Sequence, residues 1–259
     1  MGATVSKDLD AILENWPYEP GKVSVRKTLS ADGRVKLQMR IDLGVLQMET
    51  EGRPDGQRPY GCESMLDYYT RLLARHRRTT GQDEGFTLDE QACELLRAEA
   101  LQYYYRYLCE FVLEEFENVQ RDTARNLRAM DFMASYAQEE SDQSSMESYR
   151  PYIVMMNTRA RANMAMQEHR PKQARRIIRE ALHSLREHYE QMGQEDVYRA
   201  SPEVGTLQAL LKDVRREIPM TPLERLRRQL AKAVKEERYE EAAQIRDTIA
   251  RAQQRSSTE

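Results

Sequence analysis

Glu180 and His183 stand three residues apart in "REALHS", an E-x-x-H arrangement that puts a carboxylate and an imidazole on one helical face. Di-iron helical bundles take such a pair as ligands, but they need a second copy and further inward-facing Glu residues. The chain offers neither, so a polar helix surface is the expectation and no metal is assigned. Tyr103, Tyr104, Tyr105 and Tyr107 in "YYYRY" are aromatic, and exposed aromatics can stack on bases. Near-consecutive helical positions point in all directions, so these tyrosines are expected in the core and at helix contacts. Arg53, Asp55 and Arg58 in "GRPDGQRP" mark where an enzyme site of unfamiliar type would sit, although a tight turn with solvated charges explains the loop as well. Arg175, Arg176 and Arg179 in "ARRIIRE" lie opposite an apolar stripe, and a solvated face is favoured over an anion site.

The G-x-x-x-x-G-K-[ST], G-x-G-x-x-G and H-E-x-x-H signatures of phosphate, dinucleotide and catalytic zinc sites do not occur. Cys62, Cys93 and Cys109 are odd in number and widely spaced, which implies neither a disulfide framework nor a metal knuckle and suggests a reducing cytoplasm. The expectation is therefore a protein without catalytic residues, metal or cofactor.

The elements that position these residues are mostly helical. Of 259 residues 40% are hydrophobic and 32% charged, with 11 Gly and 9 Pro, which suits elongated helices better than a sheet-rich enzyme. A net charge of −3 gives no reason to expect wholesale nucleic-acid binding. No apolar run nears the roughly 20 residues of a membrane span, and a signal-peptide core is lacking. "MGATVS" matches the myristoylation pattern at Gly2 and Ser6, but so short a pattern matches easily.

Apolar spacing predicts a short helix over 7–15. Val35, Leu37, Met39 and Ile41 then alternate with polar residues after an Asp32-Gly33 turn, and a third strand covers 45–49. This small antiparallel sheet has one apolar face and should lie against helices. A loop follows, then a helix from Met65 into "ARHRRTTG", and Thr87–Glu90 reads as a capping box. From Leu101 to Ala134 a period near 3.6 favours one long helix, which a break at 114–118 would turn into a hairpin. Residues 138–148 read as a polar linker, 152–167 and 171–192 as a helical pair stopped by Gly193, and Ser201-Pro202 as the start of a helix ended by Pro219. The fold class is mainly α with a small N-terminal antiparallel sheet. The expected domains are 1–60, 61–200, a connecting helix 201–219, a helical hairpin 220–254 and a disordered tail 255–259.

The hairpin is the most informative segment. In "TPLERLRRQLAKAVKEERYEEAAQIRDTIARAQ", Thr221, Pro222 and Glu224 form a helix start. Leu223, Leu226, Leu230, Ala233 and Val234 supply an apolar face, and the turn falls near 236–238. The second helix offers Tyr239, Ala242, Ala243, Ile245, Ile249 and Ala252. Arg225, Arg228, Lys232 and Lys235 form a basic stripe, and between Arg225 and Lys235 there is no acid. The second helix bears Glu240, Glu241 and Asp247. Arg246 lies one turn from Ala242, Ala243, Ile249 and Ala250, which predicts a guanidinium on a buried stripe facing Gln229 and Leu230, with its counter-charge on another chain.

Leu226, Leu230, Ala233, "RYEEAA", "IRD" and Ile249 resemble the UVR motif, the helical hairpin shared by the UvrB and UvrC excision-repair proteins and similar to hairpins in McsA, ClpC-type chaperones and plant Executer proteins. The N-terminal "RIDLGVLQMETEGRPDGQRPYG" is similar to uncharacterised bacterial UVR-bearing proteins. The resemblance implies hairpin-to-hairpin association, with Leu226, Leu230, Val234, Tyr239, Glu240, Ala242, Ala243, Ile245, Arg246, Asp247 and Ile249 as partner-binding residues. UvrB's P-loop, UvrC's nuclease signatures and the Cys-rich modules of McsA have no counterpart here. A cytoplasmic, bacterial, coiled-coil-like adaptor that meets a protein partner or itself is the expected function. The alternative is an accessory factor of DNA excision repair or of a Clp-type quality-control system. Nucleic acid is the second partner class, and no membrane is expected.

Overall fold

The computed structural model describes residues 9–220 and 222–256. The chain divides into two compact units, Met1–Leu211 and Lys212–Glu259. In the first, the expected N-terminal helix is one turn, α1 (Asp10–Leu13), ended at Asn15 by a positive φ of 60°. The first residues of that expected helix, and the Gly2–Ser6 pattern, lie outside the described residues.

Three antiparallel strands follow in the order β1 (Val25–Leu29), β2 (Val35–Ile41), β3 (Gly44–Glu49). Gly33 takes the left-handed φ of 79° that the Asp-Gly turn needs, and the register pairs Val25 with Met39 and Leu37 with Met48. Alternation then sends Leu37, Met39 and Met48 into one buried face. The opposite face is also covered, contrary to the one-sided expectation. Lys36 and Gln38 are buried, Arg26 donates to Gln38 (2.8 Å), and the Arg26 guanidinium lies 4.1 Å from the Trp16 ring centre. The chain before β1 thus folds over the sheet's polar side.

Next come α2 (Met65–Thr80), α3 (Glu90–Val112) and α4 (Phe116–Tyr136). Ser64 caps α2 by accepting from the Asp67 amide (3.0 Å), and Gly81 ends it with a φ of 82°. The cap of α3 is Asp89, which accepts from the Ala92 amide (2.8 Å), and not the expected Thr87. The reason lies in the backbone. Leu88 donates to Tyr136 O (2.7 Å) and accepts from Gln138 N (2.9 Å), which holds the chain extended one residue before the cap.

The long-helix reading gives way to its hairpin alternative. At Glu114 the chain turns through a left-handed φ of 59°, and Glu115 N closes onto Glu110 O (2.8 Å). The supposed linker is folded as α5 (Glu140–Ser144) and a 3-10 turn (Glu147–Tyr149), with Asp142 buried and bonded to Arg97 at 2.5 Å. Then follow α6 (Arg150–Gln167), α7 (Pro171–Gln191), a short α8 (Glu195–Ala200) that the sequence reading did not contain, and α9 (Pro202–Glu217). Ser201 heads α9, its hydroxyl accepting from Val204 N (3.3 Å).

Apolar clusters organise the first unit. Met65, Leu66, Leu88, Ala92, Cys93, Leu96, Ala129 and Met133 join α2, α3 and α4, while Leu37, Met39, Met48 and Cys109 join the sheet to α3. Cys62, Cys93 and Cys109 are free and buried, and burial pushes the Cys93 thiol up to about 11.

The second unit contains α10 (Pro222–Lys235) and α11 (Tyr239–Ser256), packed together as a hairpin. Glu237 makes the turn with a φ of 57°. Thr221, the expected cap of α10, lies outside the described residues, and α11 continues through Arg255 and Ser256, where the sequence reading places a tail. No helix among the described residues is long and apolar enough to cross a membrane.

Removing the Asp89 carboxylate is expected to cost about 1 kcal/mol of unfolding free energy, the usual value of a helix cap. Thr87→Ala should stay within about 0.5 kcal/mol, as surface changes do. Urea titration of the two variants decides between the caps.

Candidate functional site

The hairpin places the candidate interface residues in three groups. Ala233, Ala242 and Ile249 are buried between the two helices, where alanines allow close approach. Leu226, Leu230 and Ile245 are half-buried. Val234 (51%) and Tyr239 (67%) are exposed, as are Glu240, Ala243, Arg246 and Asp247. The buried-arginine expectation is therefore corrected: the Arg246 side chain is 72% exposed and, among the described residues, bonds its neighbour Asp247 at 3.3 Å. Its position explains this. Ala242, Ile245 and Ile249 define the inward line at i, i+3 and i+7, and Arg246 sits a further 100° round the helix from Ile245 on the side of exposed Ala243 and Ala250.

Charge on the hairpin is uneven: α10 carries the basic stripe, whereas α11 carries Glu240, Glu241 and Asp247 together with Arg246, Arg251 and Arg255. Arg225, Arg228, Lys232 and Lys235 are all exposed on α10, and of these only Lys232 has an acidic neighbour among the described side chains, Glu236 at 3.9 Å. On α11, Glu241 is taken by Arg238 and Asp247 by Arg246, pairs that are exposed and worth little.

The buried arginines are elsewhere. Arg106, inside the tyrosine run, is 1% exposed. Its Nε and Nη2 donate to the two Asp122 oxygens (2.6 and 2.9 Å), and its Nη1 donates to the carbonyls of Glu49 (3.1 Å) and Gly52 (2.8 Å). Arg121 reaches Asp122 (2.8 Å), Glu110 (3.0 Å) and Glu51 (3.0 Å). Glu99 accepts from the first amides of α2, Met65 (2.7 Å) and Leu66 (3.3 Å), and from Arg125. A carboxylate at a helix N-terminus also answers the helix dipole.

This cluster absorbs part of the "GRPDGQRP" loop. The Arg53 side chain is 13% exposed and lies 3.4 Å from Glu99, while Asp55 is held by Arg53 (3.2 Å) and by Gln102 of α3 (3.1 Å). Arg53 and Asp55 are thus anchors, not the solvated turn charges expected. Arg58 remains exposed.

Sequence reasoning passed over Glu99, Gln102, Arg106 and Glu110, because polar residues at i, i+3, i+7 and i+11 look like a water-facing stripe. The signal lay in symmetry. Arg106 and Asp122 stand equally far on either side of the turn at Glu114, so opposite charges meet once that turn is chosen.

Electrostatics follow from burial. Desolvation first, then the Asp122 charge, push the Glu110 carboxyl up to about 8. Burial, Arg128 and Arg53 depress the Arg125 guanidinium to about 9, so it stays charged at neutral pH. The other candidates do not converge. Glu180 and His183 lie on an exposed face, where His183 meets Glu187 (3.4 Å), and no group of three metal-competent side chains gathers among the described residues. Tyr103 and Tyr107 are buried, and Tyr104 and Tyr105 half-buried.

Two tests follow. Arg106→Met leaves the buried Asp122 with Arg121 as its remaining cation and should cost about 3 kcal/mol in denaturant unfolding, whereas adding Asp122→Leu should recover much of that loss. For Glu110, the folded protein keeps a proton that the unfolded chain has released, from the ordinary 4.5 up to about 8, so this residue lowers stability as pH rises through that window. Glu110→Gln should gain on the parent in Tm across the same window, and a pH-independent difference would contradict the raised pKa.

A family model described as the UvrB/uvrC motif matches residues 221–255. Neither the curated proteins nor the solved structures give a match to the chain. Residues 221–255, the segment of α10 and α11, are thus a UvrB/uvrC motif carried at the C-terminal end of a larger helical chain.

Proposed function

We propose that this chain is a non-enzymatic adaptor or scaffold whose C-terminal hairpin docks against a second helical hairpin, its own copy first. One observation carries the reading: a short two-helix element leaves Val234 and Tyr239 exposed beside a first helix whose basic stripe is largely unmatched. Two such hairpins set side by side bring α10 of one against α11 of the other, which sets the basic stripe near the exposed Glu240 and covers the apolar flank. So few buried side chains give a hairpin of this size little stability of its own, which favours a partner surface. The matched motif, known from excision-repair proteins and from protein-interaction contexts, agrees with this. The setting we favour is a bacterial cytoplasm.

A second reading, an accessory role in excision repair through nucleic acid, draws on the exposed stripe Arg225, Arg228, Lys232 and Lys235, which could meet phosphates. A Clp-type quality-control partner belongs to the first reading, with a different hairpin as the occupant.

Tyr239→Ala combined with Arg246→Ala should abolish self-association in sedimentation velocity without changing the helical circular dichroism, since both side chains are exposed. Survival of the assembly would rule out this face. Nucleic-acid binding calls for a mobility shift with single- or double-stranded DNA that weakens steeply with salt, and no shift at low salt eliminates it.

A further inference from the structure

From Arg150 to Arg179 the chain holds eight arginines and lysines and one acid, Glu168, although its net charge is −3. This segment is α6, the turn after it and the first half of α7. Arg150 is answered by Glu147 (2.6 Å) and Asp131 (2.8 Å), Arg170 by Glu168 (3.1 Å), and Arg176 loosely by Glu180 (3.8 Å). Lys172, Arg175 and Arg179 make no ion pair or side-chain hydrogen bond with any described residue.

Helical spacing gathers these cations. Lys172, Arg175, Arg176 and Arg179 recur at i, i+3, i+4 and i+7 and fall within about 100° around α7. The opposite side of the helix holds Ala174, Ile177, Ile178 and Leu185, all buried. The cations therefore face outward, with Lys172, Arg176 and Arg179 exposed and Arg175 half-buried. Among the described residues no carboxylate of another element pairs with them. α7 packs on α6, which has no acidic residue, and on α8, which lies toward the other end of α7, where Tyr198 meets Arg186. The acids Glu114, Glu115 and Glu117 line a cleft with Met164 on the α4 side of α6. The excess of positive charge on this face is thus uncompensated.

What the face lacks selects its partner. No large apolar side chain is exposed on it, whereas the centre of a protein interface is apolar. A helix lying on lipid needs an apolar face, and α7 buries its own against α6. A nucleic-acid backbone requires neither, because cations on phosphates supply its non-specific affinity. Arginine predominates here, and its planar donors match phosphate oxygens. Lys172 to Arg179 covers about 10 Å of helix, and a duplex carries about one charge per 1.7 Å of its axis, so several phosphates can be met together. We propose that the outer face of the first half of α7 docks on the sugar-phosphate backbone of a nucleic-acid duplex without reading its sequence. This surface belongs to the first unit and does not rest on the hairpin.

Fluorescence anisotropy of a short labelled DNA duplex, and of an RNA duplex of the same sequence, with the full chain over a salt series tests this. Four phosphate contacts predict a slope of log K against log salt of about −3.6. Lys172→Gln combined with Arg179→Gln should make that slope shallower by about 2 and weaken low-salt binding at least about tenfold. The Tm should not change, since both side chains are exposed and unpaired. Absence of binding to either duplex at low salt overturns the proposal, as does equal binding by the parent and this α7 variant. Loss of binding in Arg225→Gln combined with Arg228→Gln, while the α7 variant binds as the parent does, would move nucleic acid to the hairpin and also overturn it. Polyglutamate or phosphatidylserine vesicles competing as well as unlabelled duplex would overturn the choice of nucleic acid.

Discussion

The bond from Arg106 to Asp122 is the constraint on which the first unit depends. It joins α3 to α4 through two parallel hydrogen bonds, and the remaining Arg106 nitrogen grips the carbonyls of Glu49 and Gly52. One guanidinium thus joins the end of the sheet, the following loop and two helices. Lysine could not do this, since a single ammonium lacks the planar fork that meets a carboxylate and two carbonyls together. Removing two charges from water is costly, so the gain lies in uniqueness of structure more than in net stability. The apolar periodicity of 101–134 also allows a continuous helix, in which Arg106 and Asp122 would stand about 24 Å apart at 1.5 Å per residue. Only the hairpin brings them together.

The neighbours reinforce that choice. Glu99 holds the start of α2 and the Arg125 side chain, Gln102 holds Asp55, and Arg121 ties Asp122 to Glu110 and Glu51. A loop rich in Gly and Pro becomes a fixed wall, since the donors of α3 meet its backbone and side chains. The same network sets the Glu110 proton affinity, because the space beside Asp122 is too dry to hold a second negative charge easily.

Much of this was legible in the residues. Alternation identified β2, the Asp-Gly pair its turn, and apolar spacing α2, α6, α7 and α9, because each signal is local and one-sided. The C-terminal hairpin was clearest, with a Pro at its first turn, small residues at the contact and a charged bend. What escaped was the polar core. Whether a charged stripe faces water or an opposite charge depends on which other segment lies against it, which no single stretch reveals, so Arg106 was passed over while Arg246 was placed in the interior. The cap of α3 moved from Thr87 to Asp89 for a similar reason, since the backbone pairing of Leu88 with Tyr136 and Gln138 is long-range.

The two units treat charge in opposite ways. In Met1–Leu211 the buried cations are matched internally, whereas in Lys212–Glu259 the α10 cations stand largely unmatched and apolar side chains remain in water. A body whose buried arginines meet carboxylates, joined to a hairpin whose α10 cations largely lack them, is the physical basis for placing association at the C-terminal end. Backbone hydrogen exchange of the full chain over a concentration series tests that claim most directly. Protection should rise with concentration in α10 and α11 and stay constant in α3 and α4. Exchange in α10 and α11 that does not change with concentration, or a rise confined to the first unit, would contradict it.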